Sequence, residues 1–265
     1  AWSITVDEPF EGIEYNFVAP AIRQNGENVV IKIAPPWDPV EIHGEAAYLR
    51  ARNGSGCVRL LTEAPQSRAI LIERIFPGES FASHFAGREP DALQPAIDAL
   101  KTILRPIPEC PTYITPLDHW FDRFRNKYEG SAFPQDYAKK ALDIYDHLSK
   151  RSEHIFYLHG DYHPGNIVTK DNSSYCVIDP KGWAGSIGYE IAVFLNNYHW
   201  WQEKREDIGQ RLDHAVSEFA YAFQLSPFEV RQWAYAQMVI GAWWNFADMP
   251  QLYDGSVVKA DIWDI

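Results

Sequence analysis

The hydrophobic period of this chain changes at Pro77-Gly78, and that change limits what the chain can fold into. Before it, Tyr15 to Ile22 and Asn28 to Ile33 flank the turn residues Gln24-Asn25-Gly26-Glu27 and read as a hairpin. Val58 to Thr62 and Ala69 to Ile75 read as two further strands. A single helix interrupts them over Glu41 to Arg50, with Ile42, Ala46 and Leu49 at helical spacing and Gly54 and Gly56 ending it. Beyond Pro77-Gly78 helices dominate: Leu93, Ile97, Leu100 and Leu104 form one apolar stripe, and Tyr137, Ala141, Ile144 and Leu148 a second. Ile208, Leu212, Ala215, Phe219 and Phe223 form a third, and Ser226-Pro227-Phe228-Glu229 has the cap chemistry of a following helix. Within this half, Ile155 to Leu158, Ile167-Val168 and Tyr175 to Ile178 are apolar runs of strand length. The expectation is an α/β (α+β) chain with a β-rich lobe over residues 1–76 and a mainly helical lobe over residues 77–265.

Composition narrows the class. Of 265 residues 46% are hydrophobic and 14% aromatic, with ten Trp, which excludes a disordered or low-complexity chain. Thirty-six acidic against 24 basic residues give a net charge of -12, which repels phosphate backbones, argues against a nucleic-acid partner and favours cationic ligands. The longest uncharged stretch, between Arg231 and Asp248, contains Gln232, Gln237 and Asn245 and reads as a buried core helix, not a bilayer span. Cys57, Cys110 and Cys176 form no CxxC pair, so neither a disulfide framework nor a zinc cluster is encoded. With no signal peptide in AWSITVDEPFEG, a reducing, cytoplasmic location is expected.

The most informative stretch is His159-Gly160-Asp161-Tyr162-His163-Pro164-Gly165-Asn166, with Asp179 following Asn166 by thirteen residues. An Asp on a loop, an Asn five residues on and a second Asp closing a hairpin are what phosphoryl transfer needs: a base at the acceptor hydroxyl and two oxygen ligands for magnesium. The same residues admit a rival. His159, Asp161 and His163 alternate, so on an extended segment they face one side and could hold a transition metal in a hydrolase. That rival accounts for neither Asn166 nor Asp179.

Upstream, Lys32 interrupts the apolar run Val29-Val30-Ile31-Lys32-Ile33, where a buried ammonium needs an anionic partner such as ATP phosphates; the plainer reading is an edge-strand lysine. Glu41 and Glu45 lie one turn apart on the next helix, and either could pair with Lys32. Glu45, further inside the helix, is preferred, leaving Glu41 as a solvated first-turn charge.

Taken in order, VIKIAPP, HGEAAYLRA, VRLL, ILIERIFPG, LHGDYHPGN and VIDPKGWAG resemble the aminoglycoside phosphotransferase and protein-kinase-like superfamily, more narrowly its streptomycin 6-kinase-type antibiotic resistance kinases. The resemblance runs from Tyr15 to Asn197. It implies a two-lobed protein-kinase-like fold with ATP and Mg2+ held between the lobes. In it Asp161 is the catalytic base, Asn166 and Asp179 are the metal ligands, Lys32 binds phosphate, Glu45 positions Lys32, and Glu73 to Ile75 form the backbone hinge for adenine. The implied reaction moves the γ-phosphate to a hydroxyl of a small molecule, an aminoglycoside such as streptomycin, with a sugar or amino alcohol as the alternative acceptor. A non-catalytic nucleotide-binding scaffold would share the fold, but would be expected to have lost one of Lys32, Asp161, Asn166 or Asp179.

One departure from the family is that no GxGxxG precedes Lys32, so the phosphate-covering loop, Gly12 to Phe17 by position, is glycine-poor. Lys181 reads equally as a contact to the transferred phosphate or as a local charge partner of Asp179. Glu190, opening a helix over Tyr189 to Asn197, is read as a brace for the catalytic loop. His199-Trp200-Trp201, Trp243-Trp244-Asn245 and the acids Asp248, Asp254, Asp261 and Asp264 could form an acidic aromatic pocket for guanidinium groups, or could divide between core and surface.

Overall fold

The computed structural model describes the chain except residues 1, 12–14, 38–39, 108–110, 112–113, 152–153, 172–173, 203–205, 249–254 and 264, and the helical side chains of residues 40, 199–202 and 248. Gly12 of the expected phosphate-covering loop, Cys110, Asp254 and Asp264, with the side chains of His199, Trp200, Trp201 and Asp248, lie outside the described residues.

The first lobe is a five-stranded antiparallel sheet with one helix. Its elements are β1 (Ile4–Val6), β2 (Phe17–Arg23), β3 (Asn28–Ile33), α1 (Val40–Arg52), β4 (Leu60–Ala64) and β5 (Ala69–Glu73), in the sheet order β1-β2-β3-β5-β4. The β2–β3 turn forms for a local reason: Gly26 takes a φ of 83°, and the Glu27 N–H donates to Asn25 Oδ1 at 3.0 Å. Lys32 pairs with Val18 on one side and Ile70 on the other, so it stands on the middle strand, and the edge-strand reading fails. Val30, Ile70 and Ile72 pack with Ile42, Ala46 and Leu49 of α1, while Val29, Ile31 and Leu71 form a separate small core on the other face.

The second lobe begins with a difference from expectation. Pro77-Gly78 does not only break the pattern; it starts β6 (Pro77–Ser80), an edge strand, where proline is tolerated. Then follow α2 (Phe81–His84), α3 (Leu93–Ile103), β7 (Arg105–Ile107), β8 (Thr115–Pro116), α4 (Leu117–Tyr128), α5 (Gln135–Ser149), β9 (Ile155–Leu158), β10 (Ile167–Lys170), β11 (Ser174–Val177), β12 (Trp183–Gly185), α6 (Ile187–Gln202), α7 (Ile208–Phe223) and α8 (Pro227–Asp248). Two small sheets, β11-β10-β6 and β7-β9-β12-β8, bring the loop after β9 beside the loop after β11. Behind them α6 is buried from Tyr189 to Asn196 and packs against α7 and α8, with Trp233 of α8 seated on Gly188. The uncharged stretch after Arg231 is the buried part of α8, as expected, and among the described residues no helix is long and apolar enough to cross a membrane.

The lobes join at α1. Val58 N–H donates to Val177 O and Val177 N–H to Gly56 O, each at 3.0 Å, and Arg52 donates to Ser55 O at 3.1 Å and to Thr102 O, at the end of α3, at 2.8 Å. Gly44 lies so close to the segment after β11 that a Cβ there would sit 2.5 Å from Lys181 O; a Cβ on Gly182 would sit 2.3 Å from Gly44 O. Alanine in a helix interior normally gains about 0.5–1 kcal/mol over glycine. Gly44→Ala should do the opposite, lowering the urea or thermal midpoint by the equivalent of about 1–3 kcal/mol, because backbone must move to admit the methyl group. A raised midpoint would refute this close lobe contact.

Candidate active site

Lys32 is buried, and its charge is met by two carboxylates from different parts of the chain. Its Nζ lies 2.6 Å from Glu45 Oε2 and is hydrogen-bonded to Asp179 Oδ1. Burial alone would lower its pKa, but these two carboxylates hold it raised. Glu45 is pushed up to about 7 by burial, against the lowering effect of Lys32. Asp179 goes the other way: burial would raise it, but Lys32 and Lys181 bring it below the usual carboxylate range.

Glu41 is not the solvated charge expected of it. Its carboxylate accepts a hydrogen bond from Lys181 Nζ, so two glutamates one turn apart on α1 each hold a lysine of the cleft. The sequence signal was the i, i+4 spacing of Glu41 and Glu45, but not which partner each would find.

The loop from His159 to Asn166 is fixed from behind. Gly160, with a φ of 82°, donates its N–H to both Glu190 oxygens at 3.1 and 3.2 Å, so Glu190 braces the loop from α6, which starts two residues earlier than expected. Tyr162 OH donates to Ala96 O at 2.6 Å, and Asn166 Nδ2 donates to Asp161 O at 3.0 Å. Ile178 N–H donates to Asn166 O at 3.0 Å, joining this loop to the one carrying Asp179. Asp179 itself takes a φ of 61°, a left-handed conformation that a non-glycine residue holds only under constraint. Burial raises the Asp161 pKa, with His163 and Lys181 opposing.

These contacts dispose of the metal-hydrolase rival. The segment is not extended, since Gly160 turns it. His159 Nε2 lies 2.9 Å from Ile178 O, while its Nδ1 accepts the Asp161 N–H at 3.3 Å. Both ring nitrogens are thus engaged with backbone, and burial lowers the pKa to about 3, keeping the ring neutral. Among the described residues no group of three or more His, Cys, Asp or Glu could hold a metal ion. Asn166 and Asp179 instead offer one amide and one carboxylate group. The amide nitrogen of Asn166 is turned to Asp161, leaving its Oδ1 as the ligating end, and this sparse oxygen set suits magnesium, which keeps waters and phosphate oxygens.

Between the lobes lies a cavity of about 680 Å3. Val18, Val30 and Ile72 line it from the sheet, Val168 and Ile178 from below, and Lys32, Asn166, Asp179 and Lys181 stand at its polar end. Glu73 and Ile75 also line it. The Glu73 carboxylate is taken by Arg59, through the backbone N–H at 3.0 Å and Nε at 3.2 Å. An apolar slot with charged groups at one end matches a flat base carrying phosphates.

Residues 2–248 match the aminoglycoside/hydroxyurea antibiotic resistance kinase family. The chain belongs to that family. It is therefore a phosphotransferase with a hydroxyl acceptor. A streptomycin 6-kinase of Streptomyces glaucescens is 23% identical over 97% of this chain and 83% of its own length; a hydroxyurea phosphotransferase of Kitasatospora aureofaciens is 24% identical over 93% and 71%. The fold is shared with the choline kinase LicA of Streptococcus pneumoniae (TM-score 0.70, 12% identity, 97% of this chain and 90% of that one). It is shared too with aminoglycoside phosphotransferase APH(4)-Ia, solved with ADP and hygromycin B (TM-score 0.65, 16% identity, 98% and 93%).

The expected C-terminal pocket divides. Trp243 is core, against Phe124 and Phe133, and Asp261 accepts from Tyr137 OH at 2.7 Å. Trp244 does approach the site of this kinase: it meets Trp120 and Trp183, each at 5.9 Å between ring centroids, and Trp183 lies over Gly160. Trp120 and Trp183 were not singled out in the sequence, where nothing links them.

The Glu190 brace has a measurable signature. Burial pushes Glu190 up to about 8 from its ordinary 4.5, so the folded kinase holds a proton that the unfolded chain has released. The resulting stability is full below the unfolded value and is lost as pH rises through the folded one. Thermal midpoints should therefore fall between about pH 4.5 and about pH 8 and level off above that, and Glu190→Gln, which keeps an acceptor for the Gly160 N–H, should flatten that fall, with Glu45 responsible for part of what remains. An unchanged slope in the variant would contradict this assignment.

Proposed function

We propose that this kinase transfers the γ-phosphate of ATP, in the presence of Mg2+, to a hydroxyl of a small cationic acceptor of the aminoglycoside class, streptomycin being the first to test. The observation carrying the reading is that Lys32, Glu45, Asn166 and Asp179 line one cleft, with Lys32 between Glu45 and Asp179 and with Asn166 bonded to Asp161 beside it. In this reading residues 1–76 form the nucleotide lobe and residues 77–265 the catalytic and acceptor lobe.

Lys32, aligned by Glu45, binds the nucleotide phosphates, and Glu73 to Ile75 meet the adenine edge through backbone groups. Magnesium, when held by Asn166 and Asp179, would screen the charge between the phosphates. Asp161 orients the acceptor hydroxyl and takes its proton. The acceptor oxygen forms a bond to the γ-phosphorus as the bond to the β–γ bridging oxygen breaks, giving a phosphate monoester and ADP, in line and through a loose transition state. Burial raises the Asp161 pKa toward that of a working base.

A cationic acceptor is favoured by the net charge of -12 and by the indole faces of Trp120, Trp183 and Trp244 beside the catalytic loop. Arg123 already lies over the Trp120 ring, 5.2 Å from its centroid, so that ring attracts a guanidinium. The new phosphate would weaken the product's attraction to ribosomal RNA, which is how such a reaction confers resistance. A second reading, a small neutral acceptor of the hydroxyurea type, has the hydroxyurea phosphotransferase relative in its favour. Both readings expect a cytoplasmic enzyme, where Cys57 and Cys176 stay as thiols.

The test is acceptor-dependent ADP release with MgATP across streptomycin, other aminoglycosides, hydroxyurea, sugars and amino alcohols. Streptomycin-dependent turnover should appear and should fall by about 10²–10⁴-fold in Asp161→Asn. Turnover with hydroxyurea alone would favour the second reading. MgATP binding without turnover on any acceptor would overturn both.

A further inference from the structure

Lys181 is left without a role by the mechanism above, yet it is built into the same cleft. It lines the cavity with Lys32, Asn166 and Asp179, and its backbone is fixed by donating its N–H to His159 O at 2.7 Å. The close approach of Gly44 to Lys181 O and Gly182 holds that segment against α1. From α1, Glu41 grips its ammonium one turn before Glu45 grips Lys32. Its charge reaches both reaction carboxylates, opposing the rise that burial gives Asp161 and helping Lys32 to hold Asp179 low.

Two facts give this arrangement a purpose. Four carboxylates, Glu41, Glu45, Asp161 and Asp179, surround the polar end of the cleft against two lysines, so a polyphosphate entering it meets net repulsion unless each cation is used. The sequence before Lys32 also has no GxGxxG, so it lacks the glycines that let a loop backbone close over phosphates. A second lysine, held ready on the opposite wall, answers both.

We propose that Lys181 is a second phosphate-binding lysine of this site, positioned by Glu41 as Lys32 is by Glu45, and that it contacts the γ-phosphoryl group during transfer. This inference rests on the kinase mechanism above but not on the identity of the acceptor. Lys181 stays protonated throughout: the acceptor proton passes to Asp161, the phosphoryl group moves from ATP to the acceptor oxygen with ADP leaving, and Lys181 moves from Glu41 toward the non-bridging oxygens of the group in flight. It is a catalytic residue in that sense, and Glu41 is its positioning residue.

The deciding measurement compares binding of Mg·AMP-PNP, which carries a γ-phosphoryl group, with Mg·ADP, which lacks it, by calorimetry and without any acceptor. Lys181→Met should weaken AMP-PNP by about tenfold or more and ADP by less than about twofold, a loss of one charge-assisted contact confined to the γ position. Lys181→Arg should restore most of the difference, and Glu41→Gln should give part of the loss. With a working acceptor, kcat should fall about 10²-fold or more in Lys181→Met while the acceptor KM holds. If Lys181→Met folds poorly, the double variant Glu41→Gln/Lys181→Met, which leaves no orphaned carboxylate, takes its place with the same expectation. Equal weakening of both nucleotides, or of neither, overturns the proposal and makes Lys181 a clamp between the lobes. Failure of the unaltered protein to bind either nucleotide overturns the kinase mechanism as well; nucleotide binding with no active acceptor bears on the acceptor assignment alone.

Discussion

A lysine buried on the middle strand of a sheet must find anions, because an ammonium taken out of water without a partner costs on the order of several kcal/mol. Lys32 finds two, Glu45 on α1 and Asp179 on the loop after β11, so one charge ties together three elements that share no strand pairing. The demand is mutual, since Glu45 is buried as deeply and would be as costly alone. The other lobe contacts follow from bringing those elements so near. Gly44 and Gly182 are glycines because their backbones touch, and Glu41 meets Lys181 because it lies one turn along the same helix. The lobe junction and the polar end of the cleft are built from the same residues, so the cleft is shaped by the interactions that hold the lobes in register.

The second lobe solves a different problem, that of holding irregular loops at a buried site without leaving backbone groups unmet. His159 does much of this: its ring bonds Ile178 O and the Asp161 N–H, and its carbonyl accepts from Lys181. Glu190 serves the Gly160 N–H, and Tyr162 reaches back to α3. With these partners in place Asp179 can hold a left-handed backbone that would not persist in a free loop. A histidine that looks like a metal ligand in the sequence is here a cross-link between two loops, and burial keeps its ring neutral against the opposing effect of the bond to Ile178 O.

Legibility in the sequence followed how local each cause was. The β2–β3 hairpin and α7 lie where the periodicity put them, since turn chemistry and an apolar stripe are written in adjacent residues. Lys32 and Glu45 were legible because a charge inside an apolar strand and a glutamate inside a helix are each anomalies that predict a partner, and they meet. The short strands β7, β8 and β12 were not, because two or three residues carry no period. Pro77-Gly78 misled for a definite reason: proline punctuates a chain, but at an edge its missing N–H faces no neighbour, so β6 can begin there. Glu41 was misread as solvated because its partner lies 140 residues away, on a segment brought near only by the packing of Gly44.

The same distinction separates the two halves of the reaction. Moving a phosphoryl group places fixed demands on charge and distance, and those demands recur as fixed spacings: Asp161 to Asn166 within one loop, Asp179 just after the β10–β11 hairpin that follows. Choosing an acceptor requires only a surface of suitable shape and polarity, which any set of elements can supply. The surface proposed here for it draws on Trp120 from α4, Trp183 from β12 and Trp244 from α8, three residues with no sequence relation that the packing gathers within 6 Å of one another, ring centre to ring centre. Of the three, Trp183 packs against Gly160, the residue before Asp161. The Lys32–Glu45–Asp179 network draws on none of these tryptophans, whereas the Glu190 brace meets them at Gly160, which Trp183 packs against and Glu190 holds.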